Sequence, residues 1–274
     1  MTSVETKPQE PKSGMSRWRR FRAMTQDVHR GFIAEWTVTI VLLLFATTTL
    51  VQAFVIPSAS MESTLLIGDH VLVDKLVYAP QDGAAAHALP NRDVRRGDII
   101  VFRYPLDIRQ DYVKRAIGIP GDHIRFVDKQ LILNGKPVKE PYVQHTASYP
   151  DMYRDDSIKY RDNFPAPSAT VLRPRAMEML RNYVVDGELV VPKDYVFAMG
   201  DNRDDSDDSR YWGLVPRENI VGTPVIIYWS FEAPTQDLTN GNIGLDHIVD
   251  VVAHFFTKTR WKRTFNLTRA YPLR

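Results

Sequence analysis

The chain of 274 residues contains no cysteine. That excludes disulfides, zinc–thiolate sites, iron–sulfur clusters and thiol nucleophiles, and it leaves the redox compartment open. Net charge is nearly lacking as well. With 35 basic residues against 33 acidic ones, no global field argues for nucleic acid as a partner. The seven histidines fall in no spacing with an acid and a serine that suggests a Ser-His-Asp triad, and no HExxH zinc signature is present. What the chain does have is 44% hydrophobic and 25% charged side chains, enough for one large core or two smaller ones.

Charge is also lacking over one long stretch. Between Glu35 and Glu62 lie 26 uncharged residues, and positions 37–56 within them supply about 20 mostly apolar residues, the length that crosses a bilayer. Residues 37–56 are therefore expected to form a transmembrane helix, within an anchor spanning 35–56. The Thr47-Thr48-Thr49 run is no obstacle, because a helical Thr can bond its hydroxyl to a carbonyl one turn earlier. Residues 1–34 carry seven Lys or Arg against three acids, whereas the first charges after the run are Glu62, Asp69 and Asp74. The positive-inside bias puts the N-terminus in the cytoplasm and the bulk of the chain outside. A cleaved signal peptide is the rival reading, with small residues at Ser58, Ala59 and Ser60. It is disfavoured by the long basic leader and by an apolar run exceeding the usual ~7–15 residues.

Beyond the anchor, short β-rich runs recur between Gly, Pro and Asp punctuation, at residues 71–77, 98–104, 112–119, 123–133, 195–199 and 225–229. The expected fold is mainly β: an N-terminal transmembrane helix followed by an antiparallel β domain with an inserted subdomain. Residues 57–136 and 184–235 are assigned to the β core. Residues 137–183, polar and rich in Pro and Tyr, are assigned to the insertion, where no catalytic residue is expected. In 236–274, apolar Leu245, Ile248, Val252, Phe255 and Phe256 have helical spacing. The tail from 258 to 274 carries six basic residues and no acid, suited either to anionic lipid headgroups or to a solvated end packed on the body.

Three segments carry candidate chemistry. The first is Pro57-Ser58-Ala59-Ser60-Met61-Glu62-Ser63-Thr64-Leu65, then Gly68-Asp69. The second is the run from Asp111 to Asp122, where Lys114 sits among strand formers. On a strand Lys114 and Arg115 point to opposite faces, so if Arg115 is solvated Lys114 is turned inward. The third is the acidic run from Gly200 to Pro216. It does not fit a calcium loop: counted from Asp204, the sixth position is Ser209 rather than Gly and the twelfth is Val215 rather than Glu.

Together with Arg96-Gly97-Asp98-Ile99-Ile100-Val101-Phe102, these segments resemble the signature boxes of bacterial type I signal peptidases, in register from about Phe54 to Pro216. One departure is Ser63, where the family usually has Pro; its loss is expected to loosen the turn behind the nucleophile. The resemblance implies a membrane-anchored endopeptidase that cuts signal peptides from exported preproteins. It makes Ser60 the nucleophile and Lys114 the general base, in a Ser-Lys variant of triad logic with an acyl-enzyme intermediate. It makes the Ser60 backbone N–H and the Ser58 hydroxyl the oxyanion donors, Ser206 the hydroxyl that orients Lys114, and Asp208 with Arg210 an ion pair behind it. It maps the walls of shallow apolar substrate pockets to Phe54, Ile56, Met61, Leu65, Val71, Val101, Asp111, Tyr112 and Val113.

For such a pair to work, Lys114 must lose its proton. With an ordinary pKa near 10.4 only about one Lys in a few thousand is neutral at pH 7, so burial has to lower it by several units. No cofactor is implied. The partners implied are preprotein signal peptides with Ala-x-Ala-like sites, membrane phospholipid and the secretion translocon, and the location is the inner (plasma) membrane with the catalytic domain outside the cytoplasm. Two other classes compete: a membrane-tethered β domain that only binds proteins, and a self-cleaving Ser-Lys protein of the phage-repressor type, which the anchor and the lack of a helical DNA-binding domain oppose.

Overall fold

The long apolar run divides into two kinds of element. In the computed structural model, which describes residues 31–79, 91–146, 163–166, 172–233, 235, 238, 245–268 and 270–273, a helix α1 (Phe32–Phe45) continues through a π-helical turn (Ala46–Leu50) and then becomes a strand, β1 (Val51–Val55). The helical run Phe32–Leu50 has 19 residues and is long and apolar enough to cross a membrane. The expectation of one helix over 37–56 is thus corrected at its C-terminal end. Hydropathy does not separate the two elements, since a membrane helix and a half-buried strand draw on the same apolar residues. Pairing decides it: β1 lies antiparallel to β2 (Asp69–Asp74), and the carbonyls of Leu50 and Thr48 accept from the backbone N–H and the Nζ of Lys75. The basic segment on which the orientation was read lies almost wholly outside the described residues.

The chain divides into two units, Met1–Ala46 and Thr47–Arg274. In the first, no side chain of α1 is buried. The second is built on antiparallel sheets. After β2 come β3 (Ile99–Tyr104), β4 (Asp107–Gly118), β5 (His123–Val127), β6 (Gln130–Leu133), β7 (Lys136–Pro137), a helix α2 (Pro174–Tyr183), β8 (Val184–Val185), β9 (Glu188–Val190), β10 (Tyr195–Met199), a one-turn helix α3 (Ser209–Trp212), β11 (Val215–Pro216), β12 (Ile220–Ser230), a helix α4 (Leu245–Lys258) and β13 (Asn266–Leu267). The larger sheet has the order β1-β2-β12-β3-β4-β10-β11, with β13 on β12; the smaller has the order β7-β6-β5-β9-β8. The mainly β, antiparallel architecture with an N-terminal apolar helix is the one expected.

The centre of the larger sheet is buried on both faces. Along β3, Ile99 and Val101 join a core with Ile56, Met61, Leu65 and Val71, whereas Ile100, Phe102 and Tyr104 join another with Ala116, Ala198 and Trp212. Opposed residues of paired strands share a face. Lys114 is opposed to Ile100 and Arg115 to Ile99, so two consecutive cations of β4 inherit two faces that are both covered.

The smaller sheet shares a third core with the insertion. Ile124, Leu131 and Leu189 meet Tyr142, Phe164, Met179 and Leu180 there, and Ile117, Phe197 and Met199 of the larger sheet reach into it. The boundary read at Pro137 falls inside this sheet, and of the insertion residues 147–162 and 167–171 lie outside the described residues. After α4 the tail returns to the body: β13 pairs with β12, and Leu273 is buried in the third core.

Candidate active site

Ser60 sits in a 3-10 turn (Ala59–Met61) that starts from an extended Ser58. Met61 and Leu65 anchor this turn by burying fully in the core beneath it. The backbone closes it locally, through Glu62 N donating to Ala59 O and Leu65 N to Met61 O at 2.9 and 2.8 Å. Long-range bonds then hold it in place: Asn202 N donates to Ser60 O at 3.1 Å, Thr64 Oγ1 to Asp201 Oδ2 at 2.6 Å, and Ser63 Oγ to Tyr142 O at 2.5 Å. The outcome is one short contact. Lys114 Nζ donates to Ser60 Oγ at 2.5 Å, both groups being buried.

Burial is the main reason that Lys114 is lowered from 10.5 to about 8; Asp208, Asp207 and Asp201 pull it back up, and Arg210 adds to the lowering. Desolvation penalises the ammonium form, and a hydroxyl partner does not repay it as a carboxylate would. At a pKa near 8, about one molecule in ten holds a neutral amine at pH 7, against one in a few thousand for a solvated Lys.

Asp208 and Arg210 face each other at 2.9 Å, both almost fully buried. Burial would raise the Asp208 carboxyl, but the charge and hydrogen bonds of Arg210, with the charge of Lys114 adding to them, hold it below its ordinary value. Arg210 Nη2 also donates to Arg203 O, and Asp208 Oδ2 accepts from Gly200 N, so the pair fixes the loop that carries Asn202. Ser206 Oγ is buried without a hydrogen-bond partner. The structure therefore brings Ser206 beside Asp208 but not into a bond with Lys114.

A cleft of about 390 Å³ opens beside the pair, lined by Phe54, Ile56, Ser58, Met61, Asp111, Tyr112 and Val113 among others. Ser58 is exposed at its lip, its Oγ 3.4 Å from Ser60 Oγ. Three of the residues mapped to the pocket walls lie deeper: Leu65, Val71 and Val101 are wholly buried in the core behind the cleft. Burial raises the carboxyls of Asp111 and Asp207 at the rim, with Arg103 and Arg173 respectively opposing it.

Arg115 is not solvated, which removes the premise from which Lys114 was read as inward. Its guanidinium donates to Asp201 Oδ1 and Oδ2 at 2.7 and 2.6 Å and to Gly97 O at 2.7 Å, and lies 4.0 Å from the Tyr142 ring centre. Sequence reasoning also passed over Gly200, Asp201 and Asn202, although all three stand in the third motif. A Cβ at Gly200 would overlap the Ser60 carbonyl and the Ser206 side chain. Tyr142 came from the segment expected to be inert, and nothing in its local pattern could have marked it. In the tail, Arg263 donates to Asp69 Oδ2 at 2.6 Å and to Thr64 O at 3.0 Å, and Arg260 donates to Ser230 Oγ and Ile67 O. These two arginines clasp the segment just after Ser60.

The sequence profile of the family described as "Signal peptidase, peptidase S26" matches residues 30–229. A signal peptidase I of Aquifex aeolicus is 37% identical over 232 residues, covering 75% of this chain and 86% of that protein. One of Pseudomonas fluorescens is 37% identical over 204 residues, covering 68% and 67%. A solved signal peptidase I from Enterococcus faecalis shares 30% identity over 48% of this chain and 97% of its own, with a TM-score of 0.32. With a family profile matched over most of its length and relatives above a third identical, the chain belongs to the signal peptidase family, peptidase S26.

Proposed function

We propose that the protein is a membrane-anchored serine endopeptidase that removes signal peptides from exported preproteins, with Ser60 as nucleophile and Lys114 as general base. The observation that carries it is the 2.5 Å contact between a buried hydroxyl and a buried amine whose pKa is lowered to about 8, set in a cleft with apolar walls at Phe54, Ile56, Met61 and Val113. Neutral Lys114 takes the Ser60 proton as Oγ attacks the scissile carbonyl. The lysine then gives that proton to the leaving amine, and water hydrolyses the acyl-enzyme with Lys114 again as base. The Ser60 N–H and the Ser58 hydroxyl receive the developing oxyanion.

Substrate binds as an added strand. Among the described residues β10 pairs with β4 only at 115–118, so 111–113 are paired with β3 along one edge alone, and β1 is paired with β2 along one edge alone, which leaves one edge of each strand open beside the cleft. An extended signal-peptide C-terminus can pair there, with small side chains entering the apolar walls. That matches substrates defined by small residues on either side of one position and by little else.

The anchor is the span Phe32–Leu50, with residues 1–30 in the cytoplasm and the second unit outside it, at the inner (plasma) membrane. Lipid contact beyond the span falls to exposed aromatic residues in and beside the tail, with exposed Lys262 among them. Lys258, Arg260 and Arg263 are held by Asp250 and Asp69, whereas Phe256, Trp261 and Phe265 are exposed, as interfacial aromatics are. Delivery of a preprotein still threaded in the translocon would place its cut site at the same membrane face.

The test is full-length protein in detergent mixed with a preprotein whose signal peptide ends Ala-x-Ala. Wild type releases the mature chain, while Ser60→Ala and Lys114→Ala, melting like wild type, do not. Processing by either variant would sink the mechanism.

A further inference from the structure

We propose that Ser63 is a positioning residue for Ser60, acting through its bond to Tyr142. The backbone at Ser63 has φ 88°, in the left-handed region. A proline ring holds φ near −65°, so the turn built here is one that proline cannot make. Nor does the turn form for lack of alternatives, since a residue with a Cβ is strained at that φ and stays there only where the surroundings over-determine it.

The surroundings are specific. Ser63 Oγ donates to the Tyr142 carbonyl at 2.5 Å, across 79 positions of sequence. Tyr142 is itself immobilised: its ring lies on the Arg115 guanidinium at 4.0 Å, and its hydroxyl donates to Glu140 Oε1 at 2.8 Å, a carboxylate that also takes Arg203. The neighbouring Gln144 N donates to Asp201 O, so the 140–146 segment and the Asn202 loop grip the nucleophile turn from two sides. Met61 O accepts from both Thr64 N and Leu65 N, which links the Ser63 conformation to the turn that aims Ser60 Oγ at Lys114. Errors of about 1 Å in such an alignment can cost about 100-fold in rate.

This deepens the reading of Ser60 as nucleophile and rests on it. The experiment measures kcat and KM on a signal-peptide-like peptide for the full chain in detergent, beside its thermal melt, for four variants. Ser63→Gly frees φ but loses the bond: its melt stays near wild type while kcat falls about 10-fold and KM moves less than about twofold. Ser63→Thr keeps the hydroxyl but adds a β-branch at a strained φ: its melt drops while kcat of the folded enzyme stays close to wild type. Ser63→Ala loses on both counts, and Ser63→Pro loses most. Wild-type kcat in Ser63→Gly, or a kcat that only follows the folded fraction across Gly, Thr and Ala, overturns the positioning role. Residual cleavage by Ser60→Ala would instead defeat the nucleophile assignment, so the two failures are told apart.

Discussion

Arg115 donates to both oxygens of Asp201 at 2.7 and 2.6 Å, whereas Lys114, next to it in β4 and as deeply buried, donates to the uncharged hydroxyl of Ser60 at 2.5 Å. One cation is given a carboxylate. The other is given a hydroxyl, with its nearest carboxylates engaged by Arg210 and Arg173, and is brought within reach of losing its proton. Exchange of the two residue types would defeat both arrangements, since a guanidinium does not deprotonate in this range. Lys114→Arg should therefore be inactive in the preprotein assay while remaining folded.

Cleavage of a short peptide should rise with pH and level off above about 8, following one titrating group. Stability should follow the same group with a definite sign. Because the folded value lies below the unfolded one, the unfolded chain binds more protons between about 8 and 10.5, so stability rises across that window, by about 3 kcal/mol in all. Thermal melts at stepped pH should show this slope in wild type and lose it in Lys114→Met, which should also be the more stable protein below pH 8.

Asp208→Ala should be lost to instability before it is lost to chemistry. It leaves Arg210 buried without its carboxylate, a change that costs about 3–5 kcal/mol. Ser206→Ala should melt no lower than wild type, because it removes a buried hydroxyl that has no partner, and it should keep part of its activity. Equal melting of the two variants would contradict this assignment.

Gly200→Ala should reduce kcat at least 100-fold, with cleft binding little changed. The added methyl meets the Ser60 carbonyl and the Ser206 side chain, so the nucleophile turn has to shift. Gly135→Ala is the control: its Cβ meets nothing, and only its positive φ of 74° opposes the change, so it should cost about 1 kcal/mol of stability and no rate.

Arg263→Ala should lower stability by about 1–3 kcal/mol, since Asp69 is fully buried and would keep only Ser230, the Leu66 N–H and a distant Arg260. Removal of residues 258–274 should be worse, for it also strips β13 and Leu273 from the body. A tail that served lipid contact alone would leave the melt in detergent unchanged.

Much of the site was legible because its parts are local. A Ser in a short motif after an apolar run, a Lys among strand formers and a Gly-Asp-Asn loop are each contiguous, and their order along the chain carried the family resemblance. Short β-rich runs between Gly, Pro and Asp punctuation also located β2, β3, β4, β5, β10 and β12, since strand-forming composition and turn residues are read locally.

The sequence by itself determined which residues point to opposite sides of each strand; it did not determine what covers those sides. Whether Arg115 is solvated was left open, because nothing nearby in the chain says that Tyr142, Asp201 and Tyr271 close over it. For the same reason the helix was carried past Leu50 into a segment that β2 claims as a strand, and the basic tail was left open between lipid headgroups and a solvated end packed on the body, because Asp69, which its arginines meet, comes from nearly 200 residues earlier. Ser63 shows the division most sharply: the family resemblance marks only a departure from proline there, while the left-handed turn and the bond to Tyr142 exist because two distant segments pack together, and packing is a property of the folded surface rather than of any window of sequence.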